Sequence, residues 1–331
     1  MLGTFFKIFF STWKCHNCCI CPVMNVLCPT SSTSDDDDDR AYQTQMRSDA
    51  RPQRRNRTER GIAAAMRPPS LSKILGSFAF MTATLNVRAQ TPLVRLHSLN
   101  SAAARHLRVI HVVRHAEGHH NVNRDYRNPL NYDAELTERG IEQCAVLSRR
   151  LRDTNFAAEL VVSSPTRRAL QTARRSFAHL WDGEGGEGEE KIPFVAYESW
   201  RETLNFVCDA RLPLARLRED FPEADFGGVR HEEDPLSEHY VNRFGPFEDY
   251  AEERESRDDE ALERRVRRAW ADVATRPERS VAVVSHSAFF WHMFARPELG
   301  VVVYGDDDAE ALMAGRGFDN CEMRSVAFEI L

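Results

Sequence analysis

The 331-residue sequence contains no apolar stretch of the roughly 20 residues that a membrane-spanning helix requires. Its opening segment, residues 1–14, is apolar but short. Lys7 and Lys14 interrupt it, and no clear signal-cleavage pattern follows. We therefore expect no integral membrane span.

The sequence also lacks a disulfide framework. Five of its eight cysteines fall within the first 28 residues, and the other three, Cys144, Cys208 and Cys321, are far apart. The early cluster has one Cys-x-x-Cys pair, Cys15 and Cys18, but no second pair at zinc spacing, so a leader segment is the simpler interpretation. The pattern favours reduced thiols and a cytoplasmic protein.

Acidic residues are absent from Gly61 to Ala116, where Arg, Ser and Ala recur. This composition is typical of an organelle transit peptide, and Met66 as an internal start would bring it to an N-terminus. Import into mitochondria or plastids is therefore the alternative location. Residues 1–105 hold 14 Lys and Arg against 7 Asp and Glu and include the run Asp35–Asp39. We expect a mostly disordered N-terminal extension there, followed by a folded unit at 106–331.

The folded unit alternates short apolar strands with helices. Apolar runs predict strands at Leu107–Val113, Glu159–Ser163, Ile192–Tyr197, Val281–Ser285 and Arg324–Leu331. Periodicity and cap residues predict helices at Thr137–Leu151, Ser164–Trp181, Arg257–Arg276 and Ser287–Ala295. The alternation predicts an α/β fold, a three-layer α/β/α sandwich with a mostly parallel central sheet. Residues 201–255 show no clear strand, and we interpret them as an inserted cap segment.

Chemically distinctive residues follow four of these predicted strands. In chain order they are Arg114 and His115, Arg168, Glu198 and Glu202, and His286. Because functional groups gather at the carboxyl ends of parallel strands, we expect these side chains to meet at one edge of the sheet. Arginines beside a helix N-terminus suit an anion, whereas the net charge of −6 gives no electrostatic match to nucleic acid.

Four segments, in the same order along the chain, resemble those of the histidine phosphatase, or phosphoglycerate mutase-like, superfamily. They are RHAEGHHN at Arg114–Asn121, LTERG at Leu136–Gly140, SSPTRRALQTA at Ser163–Ala173 and VVSHSAFF at Val283–Phe290. The segment at Arg114–Asn121, together with FDNCEMRS at Phe318–Ser325, is similar to the sequences of a fungal and plant branch of broad-specificity phosphatases. Ala116 stands where the family usually has glycine.

The resemblance implies a metal-independent phosphatase that hydrolyses phosphate monoesters through a phosphohistidine and needs no cofactor. His115 would be the nucleophile, with its other ring nitrogen donating to a backbone carbonyl. Arg114, Arg168 and His286 would bind the phosphoryl oxygens, with His286 adding a further donor if it is protonated.

Two glutamates are candidates for the acid of the family pattern. Glu202, in an Arg-Glu context, would be the proton donor, and Glu198 is the alternative acid. Asn121 corresponds to an asparagine that the mutase branch uses near the phosphate; the other interpretation is a helix or turn cap.

Other functions fit the sequence less well. Glu117 lies two residues after His115, which is not the His-Glu-x-x-His spacing of a zinc hydrolase, and no Gly-x-Ser-x-Gly elbow is present. Phosphoglycerate mutase-type phosphoryl transfer and a non-catalytic phosphate-binding or interaction protein are the open alternatives. The expected partner is a small-molecule phosphate ester or a phosphoprotein, and the sequence does not specify which.

Overall fold

The computed structural model describes residues 93–124, 126–181, 192–234, 255 and 258–331, with backbone only at Asn123. The predicted N-terminal extension therefore lies outside the described residues as far as residue 92. The predicted cap segment lies outside them over residues 235–254.

The described residues form eight strands. They are β1 (Val94–His97), β2 (Arg108–Arg114), β3 (Leu160–Ser163), β4 (Phe194–Tyr197), β5 (Asp225–Gly228), β6 (Ser280–Ser285), β7 (Val302–Tyr304) and β8 (Met323–Ile330). They make one sheet in the order β5-β4-β3-β6-β2-β8-β1-β7. The run from β5 to β2 is parallel, β8 is antiparallel to both β2 and β1, and β7 is parallel to β1.

Seven α-helices connect these strands within the described part of the chain. They are α1 (His119–Asn123), α2 (Glu138–Asp153), α3 (Arg167–Ser176), α4 (Leu214–Asp220), α5 (Asp259–Ala274), α6 (Ser287–Phe294) and α7 (Asp307–Ala314). None of the described helices is both long and apolar enough to cross a bilayer.

Strand residues alternate between two hydrophobic clusters, one on each face of the sheet. Val112 packs in the first cluster and Val113 in the second, while Val281 and Val283 join the first and Ala282 the second. Residues of α5 and α6 complete the first cluster, and residues of α2 and α3 complete the second. Because successive strand side chains point to opposite faces, both faces are covered by helices. The predicted three-layer α/β/α sandwich with a mostly parallel sheet is confirmed.

The predicted start of the folded unit at residue 106 is too late. Strand β1 pairs with β8, with Val94 opposite Ile330 and Leu96 opposite Phe328, and it also pairs with β7. Val94 and Leu96 are fully buried. This four-residue strand lies within the long stretch without acidic residues and shares its composition, so no local pattern in the sequence predicts that it is buried.

The prediction that residues 201–255 lack a strand is also wrong. Strand β5 lies within this segment and extends the sheet beyond β4, and α4 precedes it. Its sequence, Asp-Phe-Gly-Gly, has poor strand propensity, and its register with β4 is irregular. Burial of Phe226 in the second cluster holds it in place. Tertiary packing here overrides local preference.

Helix boundaries follow the capping residues. Thr137 caps α2, since its side chain accepts a hydrogen bond from the Gly140 backbone N–H at 3.0 Å, as predicted. Helix α3 begins at Arg167 rather than at Ser164, because Thr166 is the residue in extended conformation at its N-cap.

Candidate active site

Three adjacent parallel strands deliver the predicted site residues to one edge of the sheet. Arg114 is the last residue of β2, and His115 follows it. His286 follows β6, and Arg168 lies in the first turn of α3, the helix after β3. Since β2, β6 and β3 are neighbours in the sheet, these side chains come together although up to 172 residues separate them.

His115 is buried and has a defined donor pattern. Its Nδ1 lies 2.7 Å from the carbonyl oxygen of Ala116, and a carbonyl can only accept, so Nδ1 carries the proton. Burial, followed by the charges of Arg168 and Arg114, lowers the pKa of His115 well below its usual value. The ring is therefore neutral, with the lone pair on Nε2. This is the tautomer that the sequence analysis required.

Two buried arginines flank His115. The Nη1 atom of Arg114 donates to the Phe318 carbonyl, and Nη1 of Arg168 donates to the Cys208 carbonyl, each at 2.6 Å. Both side chains are at least nine-tenths buried, and both line the cleft together with His115. Burying a guanidinium is costly unless charge or hydrogen bonds compensate it, so the arrangement suits an anion in the cleft.

His286 contacts His115 but does not line the cleft. The two ring centroids are 5.0 Å apart, and His286 Nε2 lies 2.8 Å from Ser164 Oγ and 3.3 Å from Thr166 Oγ1. Burial, and then the charge of Arg168, lowers the pKa of His286 well below its usual value. This shift favours the neutral ring, which still has one N–H donor.

The two candidate acids lie in opposite environments. Glu202 lines the cleft, and its carboxylate accepts from the backbone N–H groups of Thr203 and Phe289, each at 2.8 Å. Burial, and then the nearby charge of Asp209, raises the pKa of Glu202 to about 7. Part of the Glu202 population is therefore protonated near neutral pH.

Glu198 is engaged elsewhere. Its Oε1 accepts from Arg211 Nε at 2.7 Å, and its Oε2 accepts from Arg201 Nη1 at 3.1 Å. Glu198 is not among the residues that line the cleft. Both carboxylate oxygens of Glu198 therefore bond guanidinium groups away from the cleft, which leaves Glu202 as the candidate acid at the cleft.

The LTERG motif supports the loop that follows His115. The Glu117 carbonyl accepts from the Thr137 backbone N–H at 3.0 Å, and Glu117 Oε1 accepts from the Thr137 hydroxyl at 2.7 Å. Gly140 is required because a Cβ there would lie 2.1 Å from the Glu117 carbonyl oxygen. The motif therefore positions the His115 loop against the start of α2.

The segment at Ser163–Ala173 supports the same loop from α3. Thr172 Oγ1 accepts from the Ala116 backbone N–H at 3.0 Å and donates to the Arg168 carbonyl at 2.7 Å. Ala116, which replaces the family glycine, is fully buried in the second hydrophobic cluster. The alanine methyl group therefore fits within this packing.

Asn121 has the geometry of both interpretations that the sequence left open. Its Oδ1 accepts from the Gly118 backbone N–H at 3.0 Å, which caps the short helix α1. The residue also lines the cleft beside His115. The structure brings it to the site while using one of its atoms as a cap.

Sequence reasoning missed Asp209 as a cleft residue. Its Oδ2 accepts from the backbone N–H groups of Asn205 and Phe206, at 3.0 and 2.8 Å, and its Oδ1 lies 3.8 Å from Arg168 Nη2. Burial raises the pKa of Asp209, while the charge of Arg168 opposes that shift. Asp209 lies within the predicted cap segment, where no motif distinguishes it from nearby acids.

Asn320, within FDNCEMRS, is a second cleft residue that the sequence analysis did not assign. Its Nδ2 donates to the His115 carbonyl at 3.1 Å, and the residue lines the cleft. The motif match at Phe318–Ser325 was the signal that could have identified it. Among the described residues, no three His, Cys, Asp or Glu side chains are grouped so as to hold a metal ion.

A comparison with protein families finds a match in the region of the first three motifs. Residues 110–180 match the family described as histidine phosphatase superfamily (branch 1). The chain is 29% identical over 252 residues to "Phosphoglycerate mutase-like protein 1" of Arabidopsis thaliana, a match that covers 66% of this chain and 80% of that protein.

Two solved structures are also similar. One is mycobacterial glucosyl-3-phosphoglycerate phosphatase in complex with VO3, with 20% identity, a TM-score of 0.38 and coverage of 68% of this chain and 97% of that chain. The other is the alpha-ribazole phosphatase of Shigella flexneri, with 20% identity, a TM-score of 0.39 and coverage of 67% and 95%.

Proposed function

Because this chain belongs to the histidine phosphatase superfamily, we propose that it hydrolyses phosphate monoesters, without a metal ion, through a phosphohistidine formed on His115. The observation that carries the proposal is the neutral His115 ring between Arg114 and Arg168. Its Nδ1 is committed to the Ala116 carbonyl, so the lone pair of Nε2 is the available nucleophile.

In the first step, the phosphoryl group binds between the two arginines. Guanidinium groups can donate in pairs to the equatorial oxygens, on which charge is spread in the transition state. His115 Nε2 attacks phosphorus as the bond from phosphorus to the leaving oxygen breaks. The charges of Arg114 and Arg168 supply the electrostatic stabilisation that a bound cation supplies in other phosphoryl-transfer enzymes.

Proton transfer is assigned to Glu202. In its protonated form it donates to the leaving alkoxide, and the resulting carboxylate then takes a proton from the water that attacks the phosphohistidine. That water breaks the bond between phosphorus and Nε2, which releases inorganic phosphate and restores neutral His115. A pKa of about 7 suits both halves of this cycle, because neither protonation state is far from neutrality.

Hydrolysis and mutase-type transfer differ in the molecule that accepts the phosphoryl group from the phosphohistidine. The Arabidopsis thaliana relative carries a mutase-like name. We assign water as the acceptor because Glu202 lies in the cleft with a raised pKa, where it can activate water in the second half of the cycle. A non-catalytic phosphate-binding protein would require neither this carboxyl group nor the His115 tautomer.

Trapping the intermediate tests the proposal. We expect the purified protein, treated with EDTA, to hydrolyse p-nitrophenyl phosphate and to yield an acid-labile, base-stable phosphoenzyme after rapid quenching. His115→Ala should lose both signals, while His119→Ala, which alters the exposed neighbouring imidazole, should keep both.

Three outcomes would contradict the proposal. Activity that disappears with EDTA and returns with zinc would indicate a metal mechanism. Phosphoenzyme in the His115→Ala variant would move the nucleophile elsewhere. Transfer of the trapped phosphoryl group to 3-phosphoglycerate in preference to water would identify a mutase.

A further inference from the structure

His120 is a second imidazole in the cleft for which the proposed mechanism has no role. It lies on α1 next to the cap residue Asn121 and lines the cleft together with His115. Its ring centroid is 5.4 Å from that of His115 and 6.2 Å from that of Tyr126. Only 5% of the residue is exposed, so its environment is almost entirely protein and the cleft itself.

The His120 ring has an unmet hydrogen-bonding capacity. Its Nδ1 is buried and has no hydrogen-bond partner among the described residues, in contrast to Nδ1 of His115. Nδ1 lies against Gly118 and is closed off from the cleft, so it is Nε2, which is not among the buried unpaired atoms, that is left to bond a molecule in the cleft. His292 also has an unpaired buried nitrogen, but it does not line the cleft and one of its ring nitrogens contacts Arg296.

The charges around His120 are those of the phosphoryl pocket. Burial lowers the pKa of His120 well below its usual value, and the largest charge effects come from Arg168, His115 and Arg114. The exposed imidazole of His119 is a smaller influence. His120 therefore shares the electrostatic environment of the anion site and is neutral in the ligand-free protein, with one N–H donor and one acceptor nitrogen.

We propose that His120 is a substrate-binding residue whose ring N–H donates a hydrogen bond to the phosphoryl group held between Arg114 and Arg168. This inference rests on the proposed phosphatase function and adds an imidazole donor to the two guanidinium groups. Because the acceptor is anionic, the bond belongs to the stronger class of hydrogen bonds. The imidazole lies in the cleft wall, where its Nε2 can donate to a phosphoryl oxygen.

Orthovanadate binding to the full chain, measured by calorimetry, tests the inference together with the melting temperature of the free protein. His120→Phe retains a ring of similar size but has no hydrogen-bonding atoms. We expect its orthovanadate affinity to fall by about 10–100-fold, the loss associated with one hydrogen bond to a charged group. His120→Asn, which retains an N–H donor, should recover part of that affinity, and His119→Phe should bind like the wild type.

The melting temperature separates a binding role from a packing role. Replacing a buried, unpaired imidazole by an apolar ring should leave the free His120→Phe protein as stable as the wild type or more so. Full orthovanadate affinity in His120→Phe would overturn the inference. So would a loss of stability in the free variant with its ligand-induced stabilisation intact, since that result describes a packing residue.

The wild type distinguishes this inference from the proposed function. Suppose that the wild type hydrolyses p-nitrophenyl phosphate and binds orthovanadate, and that His120→Phe binds orthovanadate equally well. That result would contradict only the role of His120. If the wild type shows neither activity nor orthovanadate binding, that result would contradict the proposed function and the role of His120 together.

Discussion

The floor of the cleft, formed by Arg114, His115 and Arg168, and the wall segment after β4, residues 198–234, hold their buried arginines in opposite ways. On the floor, each arginine donates to a backbone carbonyl at 2.6 Å. A carbonyl has no net charge, so it fixes the position of the guanidinium without cancelling its charge. Arg168 Nη2 also lies 3.8 Å from Asp209 Oδ1, a longer contact than the ion pairs of the wall segment, so the positive charge of Arg168 is less closely paired than theirs.

In the wall segment, carboxylates neutralise the arginines. Arg201 forms a bidentate pair with Asp234, at 2.9 and 3.0 Å, and Arg211 bonds Glu198 at 2.7 Å. The charges of Asp234 and Glu198 raise the pKa of Arg201 against the opposing effect of burial. These ion pairs shape the wall around Glu202 and Asp209. Burial of an arginine does not by itself indicate an anion site; the partners that hold it do.

The largest expected effect concerns the two glutamates of the wall segment. Glu202→Gln should lower kcat for an alkyl phosphate by about 10²–10⁴-fold, because an alkoxide leaves poorly without a proton donor. Glu198→Gln should leave kcat close to the wild-type value, since Glu198 pairs with Arg201 and Arg211 instead of facing the cleft. Steady-state kinetics on both variants give the comparison. A larger loss in Glu198→Gln would make Glu198 the acid and reverse the assignment.

Substitution of a wall arginine should lower stability, whereas substitution of a floor arginine should lower activity. Arg211→Ala should lower the free energy of unfolding by about 3–5 kcal/mol, because it removes a buried guanidinium that bonds Glu198 and the carbonyl oxygens of Leu212 and His231. The activity per folded molecule should change little. Urea denaturation and active-site titration measure the two quantities. An Arg211→Ala protein of normal stability and greatly reduced kcat would break the distinction between floor and wall.

Arg168→Ala should show the converse behaviour. Removing one preorganised donor from the floor should lower kcat/KM for p-nitrophenyl phosphate by about 10²–10³-fold. Arg175→Ala, on the exposed side of the same helix, is the matched control and should behave like the wild type. A floor variant that loses stability while its folded fraction keeps normal kcat/KM would place Arg168 with the structural arginines.

The pH profile sharpens the same comparison. Glu202 must be protonated to donate, and its pKa is about 7, so kcat/KM for an alkyl phosphate should fall about tenfold per pH unit above pH 7. His115, whose pKa is lowered, stays neutral across that range. Glu202→Gln should lack this decline, and because the substrate's own ionisation affects both proteins, their difference isolates Glu202. An unchanged profile in Glu202→Gln would assign the decline to another group.

The smallest effect on activity is expected from removing the N-terminal residues that precede β1. Both floor and wall lie within residues 93–331, so removing residues 1–92 should change neither kcat/KM nor the melting temperature. Removing residues 1–105 also deletes β1, which lies between β8 and β7, and should destabilise the protein strongly. Equal stability of the two truncated proteins would contradict the role of β1 in the core.

The sequence predicted the floor better than the wall for a physical reason. Arg114, His115, Arg168 and His286 follow apolar strands or open a helix, and their positions follow from short-range patterns. Asp209 and β5 lie in a segment whose composition resembles a loop. Their positions depend on contacts with Arg168 and β4, which are distant in the chain.

The sequence by itself determined the α/β alternation, the motifs around His115 and the strand ends where charge would gather. Apolar periodicity and cap residues act over a few neighbouring positions, so these features are visible in one dimension. Only the tertiary structure decided that β1 belongs to the sheet, that Glu202 and not Glu198 lines the cleft, and that burial lowers the pKa of His286. Burial, partner identity and pKa depend on groups that approach from remote parts of the chain, and no local pattern records them.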